Sequence, residues 1–99
     1  MTRSRTVRRQ LEREQRKLDD ARWKLALLQV GFHPSRPLEV ESASQIEPMV
    51  RGMRCPVCDV GFHVLEHTAS ASGRKVAARC PQCGRSPHLY FVIHPALAN

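Results

Sequence analysis

The sequence predicts a small α+β protein: a long basic helix over residues 1–30, an extended linker over 31–52, and a three-stranded β unit over 53–99 that is held together by four cysteines. Three observations carry this prediction. Residues 6–30 lack glycine and proline, and leucine recurs there at helical spacing. The next segment contains several prolines. In the last segment, paired cysteines lie before and between runs of residues that favour β-strands. A chain of 99 residues has room for one small domain and an arm, which excludes most multidomain enzymes.

A heptad repeat runs along the predicted helix. Its a and d positions form an apolar stripe, called here the seam, which consists of Val7, Leu11, Leu18, Ala21, Leu25 and Leu28. Glu14 is the one polar residue within it. Gly31 and Pro34 predict the end of the helix, because glycine fits the left-handed position after a helix and proline cannot continue one.

The helix has apolar residues on two sides near its C-terminal end, where Trp23, Leu27 and Val30 lie opposite the seam. We therefore expect that end to be buried on both sides. For the seam, packing against the rest of the chain, a coiled-coil homodimer and docking on a partner's helix are all open. The candidate partner-binding residues are Leu11, Leu18, Leu25, Leu28, Trp23 and Leu27.

Positive charge is concentrated on one side of the same helix. The chain carries 16 Lys+Arg against 9 Asp+Glu, a formal charge of +7, and 13 of the 16 are arginine. A ridge without acids consists of Arg5, Arg9, Arg13 and Lys17, joined by Arg16. Such a basic chain favours an anionic partner, most often nucleic acid. A solvated face, and an arginine bias from a GC-rich genome, are the open alternatives.

The segment 31–52 is interpreted as a linker with little regular structure, because it contains Pro34, Pro37 and Pro48. Three glutamates make it the acidic part of a basic chain. Its apolar residues are expected to follow a surface, of this chain or of another; they are Leu38, Val40, Ile46 and Met49.

The cysteines form two Cys-Pro-x-Cys pairs, Cys55 with Cys58 and Cys80 with Cys83, separated by 21 residues. This two-plus-two spacing is typical of a tetrahedral four-thiolate zinc site. Four cysteines fill the coordination shell and leave no position for water or substrate, so we expect one structural Zn²⁺ rather than a catalytic one.

Strand-like runs lie between and after the pairs, at residues 62–68, 74–79 and 88–94, with Ser70-Ala71-Ser72-Gly73 as a hairpin turn. This order of cysteine pair, hairpin, cysteine pair and final strand resembles the zinc ribbon, over residues 53–95. The resemblance implies the fold and the metal. It does not imply an activity, because zinc ribbons occur in ribosomal proteins, transcription factors, nucleic-acid enzymes and protein adaptors.

Paired cysteines also occur in iron sites and in redox centres. Rubredoxin-like iron sites use the same pairs, but that family packs an aromatic cluster around its metal, and this segment contains only Phe62, Tyr90 and Phe91. A redox Cys-x-x-Cys normally opens a helix within a βαβ pattern, and two copies favour a shared metal. We recognise no catalytic triad, paired carboxylates or phosphate loop, so we expect no enzyme.

Two functions from different classes remain. The first is nucleic-acid binding, of RNA or DNA, within a ribonucleoprotein or transcription assembly; its candidate residues beyond the ridge are Arg54, Arg74, Lys75, Arg79 and Arg85. The second is a protein-interaction adaptor that docks on a larger complex through the helix and the ribbon. No stretch is long and apolar enough to span a membrane, and a cytoplasmic location is expected.

Overall fold

The computed structural model describes residues 2–71 and 73–94, with side chains from Arg5 onward. Ser72 of the predicted turn, and residues 95–99 of the predicted ribbon, lie outside the described residues. Within them, the elements in chain order are α1 (Thr2–Ala26), β1 (Leu38–Val40), a 3-10 turn (Ala43–Gln45), α2 (Ile46–Gly52), β2 (His63–Ser70), β3 (Gly73–Arg79) and β4 (His88–Ile93). This is the small α+β architecture that the sequence predicts.

A single sheet has the strand order β1-β4-β3-β2. Strands β2 and β3 form an antiparallel hairpin, β3 and β4 are also antiparallel, and β1 adds in parallel to the outer edge of β4. The prediction of three strands was therefore wrong by one. The added strand has only three residues, and its register pairs Leu38 with Phe91 and Val40 with Ile93.

The segment 31–52 is not the extended linker that its prolines suggested. It contains β1, the 3-10 turn and α2, and it places Val40, Ile46 and Val50 in the core. Pro48 lies in the first turn of α2, where its missing N–H costs no helical hydrogen bond. Leu38, Val40 and Ile46 of this segment pack on the chain's own core, as expected, whereas Met49 is exposed.

One face of the sheet and the segment before it enclose the core. Alternate residues of β3 and β4 point inward, so that Val76, Leu89 and Phe91 are buried, and Phe62 and α2 cover them. Two of the cysteines, Cys55 and Cys80, belong to the same buried cluster. The metal site predicted from the sequence is thus part of the core and not an appendage to it.

Helix α1 ends at Ala26, four residues before the predicted boundary at 30. Turns follow the helix, and two backbone hydrogen bonds hold Gly31 in place. Its N–H donates to the Arg36 carbonyl at 2.7 Å, and its carbonyl accepts from the N–H of Tyr90, a residue of β4, at 2.7 Å. Gly31 has φ of 100°, and a Cβ there would lie 2.7 Å from the Leu38 side chain. Tertiary hydrogen bonds, which the heptad pattern does not reveal, therefore set the end of the helix.

Among its residues from Arg5 onward, the helix packs on the rest of the chain near its C-terminal end. Residues 5–18, called here the arm, are all exposed, whereas Trp23 is half-buried and Ala26 is buried. The Trp23 ring packs edge-on against Phe62, with ring centroids 6.5 Å apart. The arm projects away from the sheet and its covering segment, residues 31–94, called here the body, and the molecule measures 71 × 22 × 22 Å.

Candidate metal centre

Two short turns carry the cysteines, and both are built in the same way. In the first, the Asp59 N–H donates to the Cys55 carbonyl at 2.8 Å, and the Cys55 N–H donates to the Val60 carbonyl at 2.9 Å. In the second, the Gly84 N–H donates to the Cys80 carbonyl at 2.9 Å. Both Asp59 and Gly84 are left-handed, with φ of 56° and 80°. The turns therefore present their cysteines in equivalent conformations, and Gly84 takes this one without the strain that Asp59 bears.

The four sulfur atoms converge on one point. All lie within 4.8 Å of one another, and Cys55 Sγ is 3.8 Å from Cys83 Sγ. A tetrahedral ion with metal–sulfur bonds of about 2.3 Å would place its sulfurs roughly 3.8 Å apart. A disulfide would need a separation of about 2.0 Å, and all four cysteines are free. The cluster has the geometry to hold one metal ion.

The site has a buried side and an open side. Cys55 and Cys80 are buried, while Cys58 and Cys83, the second cysteine of each pair, are half-buried. The first cysteine of each turn thus packs in the core, and the second lies between the cluster and solvent. Among the described residues, no histidine or carboxylate joins this group of potential ligands.

The thiols do not share the same acidity. Burial, together with hydrogen bonding among the thiols, raises the pKa of Cys58 to about 12, and burial also raises the pKa of Cys55. Burial opposes ionisation of Cys83 as well, but hydrogen bonding from the Arg85 backbone and guanidinium and from the thiols of Cys80 and Cys58 outweighs it and lowers the pKa of Cys83 to about 6. Without a cation, the cluster favours one thiolate; a bound cation would draw protons from the others.

Arg85 also joins the metal site to α1. Its Nη2 donates to Asp20 Oδ1 at 2.9 Å, and its guanidinium lies 5.8 Å from the centre of the Trp23 ring. The hydrogen bonds to Cys83 and Asp20 raise the pKa of Arg85, so the side chain stays charged. One cation, directly after the second cysteine turn, therefore contacts a carboxylate of the helix and the aromatic ring that anchors the helix.

Replacing Arg85 should weaken the metal site. In Arg85→Gln, the pKa of Cys83 should rise towards its ordinary value, because the guanidinium no longer stabilises the thiolate, and metal affinity at neutral pH should fall roughly 10- to 100-fold. The loss should grow as the pH is lowered, since protons compete more strongly for the thiol. Competition titrations of Zn²⁺ against a chelator at several pH values measure both effects.

The matched control is Arg54→Gln in the first cysteine turn. The Arg54 guanidinium donates to the Asp59 carbonyl at 3.2 Å and not to a sulfur. Its removal should leave the pH dependence of metal affinity unchanged. Equal metal affinities of the two variants across the pH range would show that Arg85 does not stabilise the Cys83 thiolate.

The structure separates the predicted phosphate-contacting residues into two groups. Arg5, Arg9, Arg13, Arg16 and Lys17 lie together on the exposed arm. The others lie on the body: Arg54 and Arg85 beside the cysteine turns, Arg79 near Gly84, and Arg74 and Lys75 on β3. The Arg85 guanidinium is also engaged internally, through its ion pair with Asp20, and its phosphate contact stays a prediction. Sequence reasoning missed this role, since Asp20 is 65 positions away.

The predicted partner-binding residues also divide. Trp23 and Leu27 are half-buried, and Trp23 packs on the body. The seam leucines Leu11, Leu18, Leu25 and Leu28 are exposed. Packing of the seam against the rest of the chain, one of the three possibilities open from the sequence, is not what the structure shows for the described residues.

Comparisons of the chain with protein-family models, with curated proteins and with solved structures find no match. Within residues 2–71 and 73–94, no helix combines the length and the apolar character needed to cross a bilayer.

Proposed function

We propose that this protein is a non-enzymatic zinc-ribbon protein that binds nucleic acid, as a small subunit of a ribonucleoprotein or transcription assembly. A structural Zn²⁺ would hold the body through Cys55, Cys58, Cys80 and Cys83. The arm would lie along the phosphate backbone. The observation that carries the proposal is an exposed cationic ridge on a helix that projects from a cysteine-clustered body.

Zinc suits the site because four thiolates at tetrahedral spacing are its usual structural ligands. The order of first cysteine turn, β2–β3 hairpin, second cysteine turn and β4 also supports a zinc ribbon. With all four positions taken by sulfur, the ion would supply no catalysis. It would tie together two turns that the small core alone holds weakly.

The ridge supports nucleic-acid binding through its charge and exposure. Residues 5–18 contain six basic and two acidic side chains, a net charge of +4. No ion pair links Arg5, Arg9, Arg13, Arg16 or Lys17 to an acid among the described residues. Unpaired arginines at successive helical turns can each neutralise one phosphate and release its counterions. This mode positions the protein on nucleic acid without reading its sequence.

The body adds a smaller contribution. Lys75 and Arg79 lie two and six residues along from Gly73 on β3 and therefore share the face of the sheet opposite the core. Tyr90 pairs with Lys75 across the β3–β4 ladder, on the same face. Two cations and one aromatic ring fit a secondary phosphate contact rather than a stacking platform.

Neutralising the ridge should flatten the salt dependence of binding. For Arg5→Gln combined with Arg9→Gln and Arg13→Gln, the slope of log Kobs against log salt should fall in magnitude by about 2 to 3, because each lost phosphate contact removes about 0.7 to 0.9. Fluorescence anisotropy with labelled single-stranded RNA and duplex DNA, over a range of salt concentrations, measures the slope.

The matched control removes three other cations: Arg22→Gln, Lys24→Gln and Arg51→Gln. Arg22 and Arg51 lie within ion-pair distance of Asp19 and Glu47, at 3.9 and 3.7 Å, and all three residues lie off the ridge. This variant has the same net charge as the ridge variant but should keep a much steeper salt slope. Equal slopes for the two variants would contradict the role of the ridge.

A second candidate function, the protein-interaction adaptor, is favoured by one observation. The apolar seam faces solvent along the whole arm, which a purely phosphate-binding helix does not require. The ridge and the seam occupy different sides of α1, so one subunit of an assembly can use both.

A further inference from the structure

The seam is an apolar stripe, interrupted by Glu14, that the described part of the chain leaves uncovered. Its large side chains Val7, Leu11, Leu18, Leu25 and Leu28 are 53 to 68% exposed. The body cannot cover the seam, because it already occupies the opposite side of the helix through Trp23 and Ala26. A helix with this pattern is stabilised mainly by whatever packs on its apolar stripe.

The residues that flank the seam are all basic or neutral. The e positions, on one side, are Arg8, Gln15 and Arg22, and the g positions, on the other, are Gln10, Lys17 and Lys24. All six are exposed. In a coiled coil, these positions form the interhelical charge pairs that select the partner. No acid lies on either flank of the described arm, so the seam presents an apolar stripe between two cationic edges.

These flanks disfavour a second copy of the same chain. A parallel dimer would place Lys17 opposite Arg22 of the other copy, and an antiparallel one would pair e with e and g with g, which are again only basic or neutral. In a parallel dimer, Glu14 would also face its own copy at a d position inside the interface. Like charges at these places oppose association.

We propose that the seam binds an amphipathic helix of a partner protein that carries leucine-like residues at its own a and d positions and acidic residues at e and g. Charge complementarity selects this occupant over a second copy. The inference rests on the second candidate function, protein interaction, and does not depend on nucleic-acid binding by the ridge.

Two positions within the seam specify the partner further. Glu14 requires a basic residue on the facing helix, since a carboxylate enclosed by leucines needs a cation or hydrogen-bond donors. Ala21 leaves space for a large apolar side chain at the facing position. The partner helix is thus acidic along its edges, apolar along its centre, basic opposite Glu14 and bulky opposite Ala21.

The test uses the full-length zinc-loaded protein and three synthetic helical peptides of about four heptads. All have leucine at a and d and lysine opposite Glu14, and they differ in having glutamate, glutamine or lysine at e and g. The glutamate peptide should bind roughly tenfold tighter than the glutamine peptide and roughly a hundredfold tighter than the lysine peptide. Isothermal titration calorimetry measures the affinities, and sedimentation measures self-association of the protein alone.

Three variants locate the binding. Leu11→Ser combined with Leu18→Ser should weaken the glutamate peptide roughly a hundredfold and leave nucleic-acid affinity unchanged. Charge reversal by Arg8→Glu, Arg22→Glu and Lys24→Glu should invert the preference towards the lysine peptide. The ridge variant with Arg5, Arg9 and Arg13 changed to Gln should bind the glutamate peptide as the wild type does.

The outcomes are distinguishable. Equal affinity for all three peptides, abolished by the seam variant, would overturn the acidic partner while leaving protein docking on the seam intact. No peptide binding would overturn both the inference and the adaptor function. Self-association of the protein that is lost on Leu18→Ser would show that a second copy is the occupant. Loss of nucleic-acid affinity in the seam variant would assign the seam to nucleic acid.

Discussion

Cys80→Ser should release the metal and unfold the body. A structural Zn²⁺ contributes about 10 to 16 kcal/mol to a small folded unit, whereas a domain of this size has a total stability of about 5 to 15 kcal/mol. Cys80 is also fully buried, so a serine there places an unpartnered hydroxyl in the core. Metal analysis should find less than one equivalent of zinc, and the sheet signal in circular dichroism should disappear.

Much of the helical signal should survive in the same variant, because residues 5–18 do not pack on the body. The matched control is Gln82→Ser, an exposed position between the two cysteines of the second turn, which should bind zinc and fold like the wild type. A full zinc equivalent bound to Cys80→Ser would contradict the four-cysteine assignment.

Ile46→Ala should destabilise the zinc-loaded protein by about 2 to 5 kcal/mol, the usual cost of a cavity in a packed core. Ile46 is 0% exposed at the start of α2 and belongs to the same buried cluster as Phe62, Leu89 and the buried cysteines. The sequence pattern placed it in a linker, where the same change would cost almost nothing. Chemical denaturation at saturating zinc measures the difference in the free energy of unfolding.

Met49→Ala on the same short helix is the control. Met49 is exposed, so its truncation should change the free energy of unfolding by less than about 1 kcal/mol. If Ile46→Ala lowers the free energy of unfolding no more than Met49→Ala does, then α2 does not pack in the core, which would contradict the fold of segment 31–52.

The parts of the fold that the sequence predicts are those set by local chemistry. The predicted β runs agree with β2, β3 and β4 to within one or two residues at each end, because a run of small and turn-forming residues separates the first two and β4 is rich in aromatic and β-branched residues. The cysteine cluster follows from two four-residue motifs, each of which forms its own turn. Helical periodicity predicts two apolar sides on α1, but the expectation that both are buried near its C-terminal end was wrong, because Leu25 and Leu28 are exposed.

What the sequence did not predict depends on contacts between distant residues. Strand β1 has three residues and exists because it pairs in parallel with β4, some fifty positions later, a contact with no local signal. Prolines misled the interpretation of 31–52: Pro34 and Pro37 lie in the turn that precedes β1, and Pro48 lies in the first turn of α2. All three are compatible with neighbouring regular structure.

Arg85 is a further residue whose contacts depend on parts of the chain that are distant in sequence. Its basic side chain predicts a phosphate contact, which stays a prediction, while its contacts to Asp20 and Trp23 also make it the link between the second cysteine turn and the helix. The one available signal was its place directly after the second cysteine turn, where a cation can stabilise a thiolate. Its partners on α1 could be identified only once the helix was seen to pack there.

From the four converging cysteines we infer that four thiolates hold one zinc ion, which stabilises the body. The direct test is X-ray absorption spectroscopy of the purified native protein at the zinc edge, combined with elemental analysis. One zinc per chain with four sulfur neighbours at about 2.3 Å is the expected result. Iron in place of zinc, oxygen or nitrogen neighbours at the metal, or a metal-free protein with an intact sheet would contradict the claim.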